Sequence, residues 1–330
     1  MLDLNGDTMN NSTENYYSDF TRISNSNIGW FLNKGPAYLH KMLTDPVEEK
    51  NPILERGTMI HEYLLQPEEF QKDYVIWTAA KPSSVQQKTF CEELANSLEI
   101  EPDKAILSAY KSAYSTRGKT GDLMLSEGQE MALKLKDYIS FLKSNDTRIM
   151  VMPSELKMLE KIKQNIQVHK AANKLLLDPN AKHEFHINWE HEGVKCKSLL
   201  DSLSLDRENK VCTIMDLKTT AKLWHFEESM EMYDYLRQLC YYTMAVSWYL
   251  SKELDEDPNE WKIEWYIIGI DTTGTNEIRV FKFNVEQIES RYKTIVKALD
   301  DIFWHQQHDL WEHSRKYYEG DGAEKLTLKD

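Results

Sequence analysis

Two observations in the amino-acid sequence predict a mixed α/β fold. Helical apolar spacing fills the first half of the chain; between residues 154 and 177, for example, Leu159, Ile162 and Ile166 repeat with the period of an amphipathic helix. After residue 183 the pattern changes to the alternation of apolar and polar residues that is typical of strands. We therefore expect one domain over residues 19–310, with a helical part (19–180) leading into a sheet core (181–310) that has flanking helices.

The bulk composition limits the possible functions. The chain has 330 residues, 41% of them hydrophobic, which is enough for a substantial core. Acidic residues outnumber basic ones by 54 to 40, and the resulting charge of -14 argues against a protein that coats nucleic acid, although a local basic groove remains compatible with it. The polar segments 1–18 and 311–330 are predicted to be tails, the first of them disordered.

The location of the protein is predicted from what the sequence lacks. No apolar run approaches the roughly 18 residues of a membrane helix, and the start has no basic and apolar signal segment. The four cysteines form no C-x-x-C pair, so we expect free thiols, neither a zinc ribbon nor an iron–sulfur cluster, and a cytoplasmic protein.

Individual elements follow in order along the chain. Helices are predicted in "SNSNIGWFLNK", after Pro36, in "RGTMIHEYLLQPEEF", and over residues 126–143 and 154–177. Three antiparallel strands follow, with turns at Gly193 and at residues 206–209. The remaining predicted elements are the helix "YDYLRQLCYYTMAVSWYL", two strands about a Thr-Thr-Gly-Thr turn, and a helix over residues 285–307.

The stretch "IMDLKTT" contains two candidate active-site residues. It places Asp216 and Lys218 in an otherwise buried strand, and side chains two residues apart leave the same face of a strand. A hairpin turning at 206–209 brings Asp201 close to Asp216, and two carboxylates suit a hard divalent cation such as Mg²⁺. The alternative is an ordinary ion pair at a strand edge, because D-x-K often occurs by chance.

Several separate stretches resemble the PD-(D/E)xK nuclease superfamily, and within it the RecE-type exonucleases (the exodeoxyribonuclease VIII group). They are, in chain order, "ISNSNIGWFLNKGPAYL", "RGTMIHEYLLQPEEFQKDYVI", "EFHINWEHEGVKCKSLLDSL", "DLKTT" and "YDYLRQLCYYTMA". Each motif is loose, but their joint order is specific. The resemblance implies a restriction-endonuclease-like core, a central mixed sheet flanked by helices. The gap from Asp201 to Asp216 is longer than is common in the family, so the strand register stays open.

The resemblance also implies roles for individual residues. Lys218 orients the attacking water, and Gln238 and Tyr242, one helical turn apart, position substrate or active-site groups. The implied metal ligands are His61, Asp201, Asp216, the backbone carbonyl of Leu217 and, as a ligand or a group beside the ligands, Glu184. Each residue has a plainer alternative: His61 as a core or capping histidine, Gln238 and Tyr242 as a surface pair and a core aromatic, and Glu184 as a solvated strand-edge acid.

The function implied is that of a metal-dependent DNA exonuclease that uses Mg²⁺ or Mn²⁺. The resemblance further implies digestion of linear double-stranded DNA from its ends, 5′-to-3′, by a ring-shaped homo-oligomer that works with a single-strand annealing protein in phage-type recombination, in a bacterial or phage-infected host cell. The alternatives are a related endonuclease or single-strand nuclease, a catalytically inert DNA-end-binding protein, and a structural or interaction protein.

Two other features of the sequence bear on function. "TRGKTGD" resembles an ATP-binding P-loop, but Ala113 occupies the position of the required first glycine. The basic residues of this region, Lys111, Arg117 and Lys119, are instead candidate DNA-phosphate contacts, with a solvated loop as the alternative. Trp77 and Trp224 are candidate exposed rings for stacking on bases.

Overall fold

The computed structural model describes residues 13–46 and 52–323. The helices are α1 (Thr13–Ser18), α2 (Asn25–Lys34), α3 (Pro36–Thr44), α4 (Pro52–Leu65), α5 (Pro67–Asp73), α6 (Val85–Ala95), α7 (Pro102–Ala113), α8 (Gly121–Lys134), α9 (Lys136–Lys143), α10 (Pro153–Val168), α11 (Lys170–Leu176), α12 (Phe226–Tyr233), α13 (Tyr235–Lys252), α14 (Val285–Glu289), α15 (Tyr292–His308) and α16 (Arg315–Glu319). The strands are β1 (Tyr74–Ile76), β2 (Ile149–Val151), β3 (Ala181–His191), β4 (Val194–Asp206), β5 (Val211–Thr220), β6 (Lys262–Asp271) and β7 (Ile278–Phe283).

The chain divides into two compact units. The smaller unit spans residues 68–157, and the larger contains the chain on either side of it. Within the smaller unit, β1 and β2 pair in parallel, and helices α6 to α9 enclose a core of their own around Phe90 and Tyr110. The larger unit carries the five-stranded sheet and every residue of the candidate site described below.

The sheet confirms the predicted strands and their antiparallel start. Its order is β3-β4-β5-β6-β7, and all neighbours are antiparallel except β5 and β6, which run parallel. A parallel neighbour requires a crossover, and α12 and α13 supply it between β5 and β6. The α/β class with a mixed sheet flanked by helices is therefore confirmed.

The strand register brings three acidic residues into one row. Ser202 pairs with Met215, so the same register places Asp201 opposite Asp216. On the other side of β4, the pairs of residues 183 with 202 and 185 with 200 bracket Glu184 opposite Asp201. The register that the sequence left open is thus one that aligns the three carboxylates across β3, β4 and β5.

Helices cover the sheet and bury β4 almost completely. Along β4 nearly every side chain is buried, because α13 and α15 pack against it. Tyr241 on α13 is fully buried and donates a hydrogen bond to the carbonyl of Ile23, 2.6 Å away. Ile23 also forms a parallel β-bridge with Cys196, near the start of β4, where β5 does not pair with that strand. Its backbone hydrogen bonds to Lys195 and Lys197 fix the segment that leads into α2.

Several elements differ from the sequence expectation. Thr13–Ser18 is a helix where composition predicted a disordered tail, because the buried ammonium of Lys197 binds the carbonyl of Tyr16 at 2.6 Å; residues 1–12 lie outside the described residues. The helix predicted over 126–143 is two helices that meet at Leu135. In the predicted C-terminal tail Trp311 is buried and stacks on His305, and α16 follows. None of the described helices combines the length and apolar character needed to cross a bilayer.

Candidate metal centre

Three side chains from separate parts of the chain bring ligand atoms together. One ligand atom each from His61, Glu184 and Asp201 lies within 4.8 Å of the other two. They come from α4, β3 and β4, so only the folded chain assembles them. An imidazole nitrogen and carboxylate oxygens at this separation form a candidate site for one divalent cation.

Asp201 lies at the centre of this group. Its Oδ2 accepts a hydrogen bond of 2.6 Å from the backbone N–H of Leu217 and lies 3.6 Å from His61 Nδ1. Burial raises the pKa of Asp201 above its usual value, against the opposing effect of the Lys218 charge. The carboxylate is therefore costly to bury in its ionised form, and a cation at the site would offset that cost.

His61 reaches the sheet because its helix runs close to β5. A Cβ placed on Gly57, one turn earlier, would lie 3.3 Å from Thr219 Oγ1, so a glycine there permits the close approach. Burial and the nearby Lys218 charge lower the pKa of His61 to about 4. Its imidazole is consequently neutral at neutral pH, the form that binds metals.

Glu184 has an unusual backbone for a strand residue. Its φ is +48°, in the left-handed region, which costs a residue with a side chain on the order of 1–3 kcal/mol. Burial, followed by the charges of Asp201 and Asp216, raises its pKa to about 8. The solvated acid that formed the plain alternative would not show this raised pKa, which favours a role at the cluster.

Asp216 is held beside the cluster by two polar side chains. Lys218 Nζ lies 2.5 Å from its Oδ2, and Gln238 Nε2 donates to its Oδ1 at 2.9 Å. Gln238 also donates to the hydroxyl of Tyr242 at 2.8 Å, so Tyr242 fixes the amide and the amide fixes the carboxylate. Burial, and after it the Asp201 charge, raises the pKa of Asp216 to about 6, although the Lys218 charge opposes the shift.

Lys218 completes the cluster as its cation. Burial lowers the pKa of Lys218, but the charges of Asp216 and Asp201 outweigh it and leave the pKa above the usual value. The ammonium also lies 5.0 Å from the centroid of the Tyr235 ring. Lys218 is therefore charged at neutral pH and fixed in position by partners on two sides.

The electrostatics of the group suit a divalent cation. Burial raises the pKa of Glu184, Asp201 and Asp216; the Asp201 charge adds to the shift at Asp216, and the charges of both aspartates add to it at Glu184, which a single ammonium does not cancel. Oxygen donors with a neutral imidazole are ligands that Mg²⁺ and Mn²⁺ accept. The backbone of Leu217 also hydrogen-bonds to His61. This bond raises the pKa of the imidazole, as a carbonyl acceptor does, and it places the Leu217 backbone at the site.

Comparison with known proteins agrees with this geometry. The family described as "PDDEXK-like domain of unknown function (DUF3799)" matches residues 24–315, most of the chain. The chain belongs to this PDDEXK-like family. The match extends over both the helical front half and the sheet, and so covers every candidate ligand.

Two solved structures were compared with this PDDEXK-like chain. A crystal structure named "Putative exonuclease" from Eubacterium rectale has a TM-score of 0.51 at 15% identity, over 98% of this chain and 96% of that one. At that identity the likeness shows a shared fold only. The crystal structure of SSO0001 has a TM-score of 0.26 at 15% identity, over 82% of this chain and 93% of that one, too low to indicate a shared fold. No curated protein matches the chain.

Other predicted DNA contacts of the PDDEXK-like chain lie outside this group. Lys111, Arg117 and Lys119 belong to the smaller unit. Lys119 is engaged there by Glu127 and Tyr110, at 2.5 and 2.7 Å, while Arg117 is exposed. Their binding to DNA stays a prediction.

The two tryptophans proposed for base stacking have different environments. Trp77 is only 8% exposed and packs edge-on against Tyr138, so its prediction as an exposed ring is wrong. Helical spacing could not reveal this, because the helices that cover Trp77 are distant in sequence. Trp224 is 67% exposed, as a stacking ring requires, and Arg279 lies over its face at 4.8 Å.

Sequence reasoning missed two neighbours of the site. Tyr235 contacts Lys218, and its position in the motif "YDYLRQLCYYTMA", three residues before Gln238, was an available signal. Tyr17 on α1 lies near enough that the charges of Glu184 and Asp201, after burial, help raise its pKa to about 12. No sequence signal pointed to Tyr17, because the segment reads as a polar tail.

Proposed function

We propose that this protein is a metal-dependent DNA exonuclease of the PD-(D/E)xK superfamily. The single observation that carries the proposal is the meeting of His61, Glu184 and Asp201, within 4.8 Å, beside the buried Asp216–Lys218 pair. An ordinary strand-edge ion pair does not explain an imidazole and two further carboxyl groups at the same place. This combination of metal ligands and a cation is suited to hydrolysis of a phosphodiester.

The residues have separable roles in the proposed reaction. His61, Glu184, Asp201, Asp216 and the Leu217 carbonyl would hold Mg²⁺ or Mn²⁺. When bound, the cation supplies Lewis-acid polarisation and lowers the pKa of a water. Lys218 orients the attacking water and stabilises negative charge that develops on the phosphate, because its ammonium is already charged and fixed. The bond broken is the one that leaves a 5′-phosphate on the product.

Gln238 and Tyr242 are positioning residues in this proposal. Neither carries a charge at neutral pH: Gln238 is an amide, and burial raises the pKa of Tyr242 well above its usual value. Their hydrogen bonds hold one oxygen of Asp216, which leaves the carboxylate oriented toward Lys218 and the cluster. A fixed carboxylate reduces the reorganisation needed when the substrate binds.

The finer assignment rests on the resemblance of the motifs to RecE-type enzymes. It comprises double-stranded ends as substrate, 5′-to-3′ digestion, a ring-shaped homo-oligomer, and a single-strand annealing protein as partner in phage-type recombination. A ring would place positive charge in a channel while the outer surface stays acidic, which is compatible with the net charge of -14.

One digestion distinguishes the proposed activity from its rivals. Linear duplex labelled at the 5′ or the 3′ end, and closed circular duplex, are incubated with the protein and Mg²⁺ or Mn²⁺. An exonuclease of the proposed polarity releases the 5′ label first and spares the circle. Cleavage of the circle would identify an endonuclease instead, and binding of ends without cleavage would identify an inert end-binding protein.

A further inference from the structure

A positively lined cavity adjoins the candidate site. About 390 Å³ in volume, it opens between α2 and the junction of α12 with α13, and Lys218 and Gln238 form part of its wall. Its described lining includes the cations Lys34, Arg237 and Lys218 and contains no carboxylate. Asp216 and Asp234, which are not part of the lining, pair with Lys218 and Arg237, so the exposed Lys34 supplies the positive charge that favours an anionic occupant. The volume lies within the range of roughly 300–1,000 Å³ typical of pockets for small-molecule-sized groups.

A series of stacked aromatic rings ends at this cavity. Phe281 stacks on Phe226 at 4.6 Å between ring centroids, Phe226 on Tyr235 at 5.8 Å, and Tyr235 on Tyr233 at 5.6 Å, with interplanar angles of 6°, 28° and 20°. Phe226 is buried, whereas Tyr233 is 58% exposed and lines the cavity. Because Lys218 lies over the Tyr235 ring, the exposed end of the series is one ring away from the candidate catalytic cation.

The backbone that carries Tyr233 is firmly held. Asp234, which follows it, has a left-handed φ of +48°, so α12 ends there and α13 begins at the next residue. Its carboxylate accepts a hydrogen bond of 2.7 Å from Arg291 Nε and lies 3.7 Å from Arg237 Nη1. Arg237 in turn packs against α2, where a Cβ on Gly29 would come within 2.9 Å of its Nη2. The ring of Tyr233 thus projects from a fixed corner.

We propose that Tyr233 is a base-stacking platform for the nucleotide next to the scissile phosphate, with Lys34 contacting the adjacent backbone phosphate. The assignment rests on the nuclease function proposed above and adds to it a residue that touches substrate. A tyrosine face accepts any of the four bases, and the ring behind it keeps it from rotating away. The cavity therefore recognises a DNA strand by stacking and charge, without reading its sequence.

The test uses 2-aminopurine, a fluorescent base whose emission is quenched by stacking. An Asp216→Asn protein, which is expected to bind without cleaving, is mixed with Mg²⁺ and linear duplexes that carry 2-aminopurine at successive positions from the 5′ end. Tyr233, Tyr233→Phe and Tyr233→Ala are compared in this background. Tyr292→Ala, which removes a 46% exposed tyrosine that is not among the lining residues of the cavity, is the matched control.

We expect quenching at one or two adjacent positions with Tyr233 and with Tyr233→Phe, and its loss with Tyr233→Ala. Affinity for DNA should weaken roughly fivefold or more in Tyr233→Ala alone, and Tyr292→Ala should bind like the Tyr233 protein. Equal affinity and emission in all variants, or a phenylalanine variant that behaves like alanine, would overturn the stacking assignment and leave the nuclease proposal intact. Failure of the Tyr233 protein to bind any DNA would overturn both. Thermal unfolding verifies that each variant is folded.

Discussion

Asp201 on β4 accepts a hydrogen bond of 2.6 Å from the backbone N–H of Leu217, the residue between Asp216 and Lys218 on β5. The bond fixes a candidate metal ligand of one strand to the charged pair of the next. It also satisfies two buried polar groups at once, the backbone N–H of Leu217 and the carboxylate of Asp201. The hairpin thereby delivers the ligand, the paired acid and the cation as one rigid unit.

Replacing Asp201 by Asn should separate its charge from its hydrogen bond. The amide oxygen can still accept from Leu217, so we expect a folded protein, but the charge needed for the cation is lost. DNA cleavage should fall about 100-fold or more, and the rise in melting temperature on adding Mn²⁺ should shrink. Asp206→Asn, at the last residue of the same strand, is the control and should retain both properties. An unchanged response to Mn²⁺ would remove Asp201 from the metal centre.

Lys218→Met should abolish the chemistry while preserving the metal site. The ammonium is proposed to stabilise developing charge on the phosphate, and loss of one such group typically costs about 10²–10³-fold in rate. Stabilisation by Mn²⁺ should persist, since Lys218 is not a ligand. Lys222→Met, at an exposed lysine that pairs with Glu228, provides the comparison and should cleave normally. Near-normal cleavage by Lys218→Met would mean that this lysine has only a structural role.

The stability of the metal-free protein should fall as the pH rises from about 6.5 to 8, where Glu184 ionises; below that range the lowered pKa of His61 acts in the opposite direction. Glu184 and Asp216 have folded-state pKa values of about 8 and about 6, above their ordinary values of 4.5 and 3.8. Groups with a raised pKa contribute their stability below the ordinary value and lose it as the pH passes through the raised one.

A divalent cation binds the ionised carboxylates, so its stabilising effect should grow over the same range. Melting temperatures measured from pH 5 to about 8.5, with Mn²⁺ and with a chelator, check both trends. A Mn²⁺ effect that is the same at every pH would show that these carboxyl groups do not bind the ion.

Two substitutions of Glu184 should separate its effect on stability from its contribution to metal binding. Glu184→Gly relieves both the left-handed strain and the carboxylate repulsion, while Glu184→Ala relieves only the repulsion. We expect the glycine variant to be the more stable of the two by about 1 kcal/mol in denaturant unfolding without metal. Both should bind Mn²⁺ more weakly than the unaltered protein. Unaltered Mn²⁺ affinity in both would leave the strained backbone without a role at the site.

Gln238→Leu should reduce activity more than Tyr242→Phe. The leucine removes both hydrogen bonds of the amide and leaves Oδ1 of the buried Asp216 without that donor, whereas the phenylalanine removes only the contact that orients the amide. We expect at least a tenfold loss of kcat for the first and a few-fold loss for the second, with melting temperature measured for each. The reverse order would indicate that Tyr242 contacts DNA directly.

The sequence by itself determined the five strands of the large sheet, the crossover helix α13 and the charged residues of the candidate site, but not β1 and β2. Strand alternation and turn residues are local signals, so β3 to β7 were predictable from single segments. The D-x-K spacing also fixed the relation of Asp216 to Lys218, because side chains two apart on a strand share a face. Local patterns failed where a distant partner decides, as for the helix at Thr13–Ser18 and the burial of Trp77.

Only the tertiary structure decided how the ligands meet. His61 lies far from Asp201 in the chain, and the approach of α4 to β5 at Gly57 brings them together. The register of β3, β4 and β5 aligned Glu184, Asp201 and Asp216, and a shift of one residue would have turned a carboxylate to the other face. The ionisation of these groups is likewise a property of the fold, because their pKa values depend on burial and on neighbouring charges that no single segment of sequence contains.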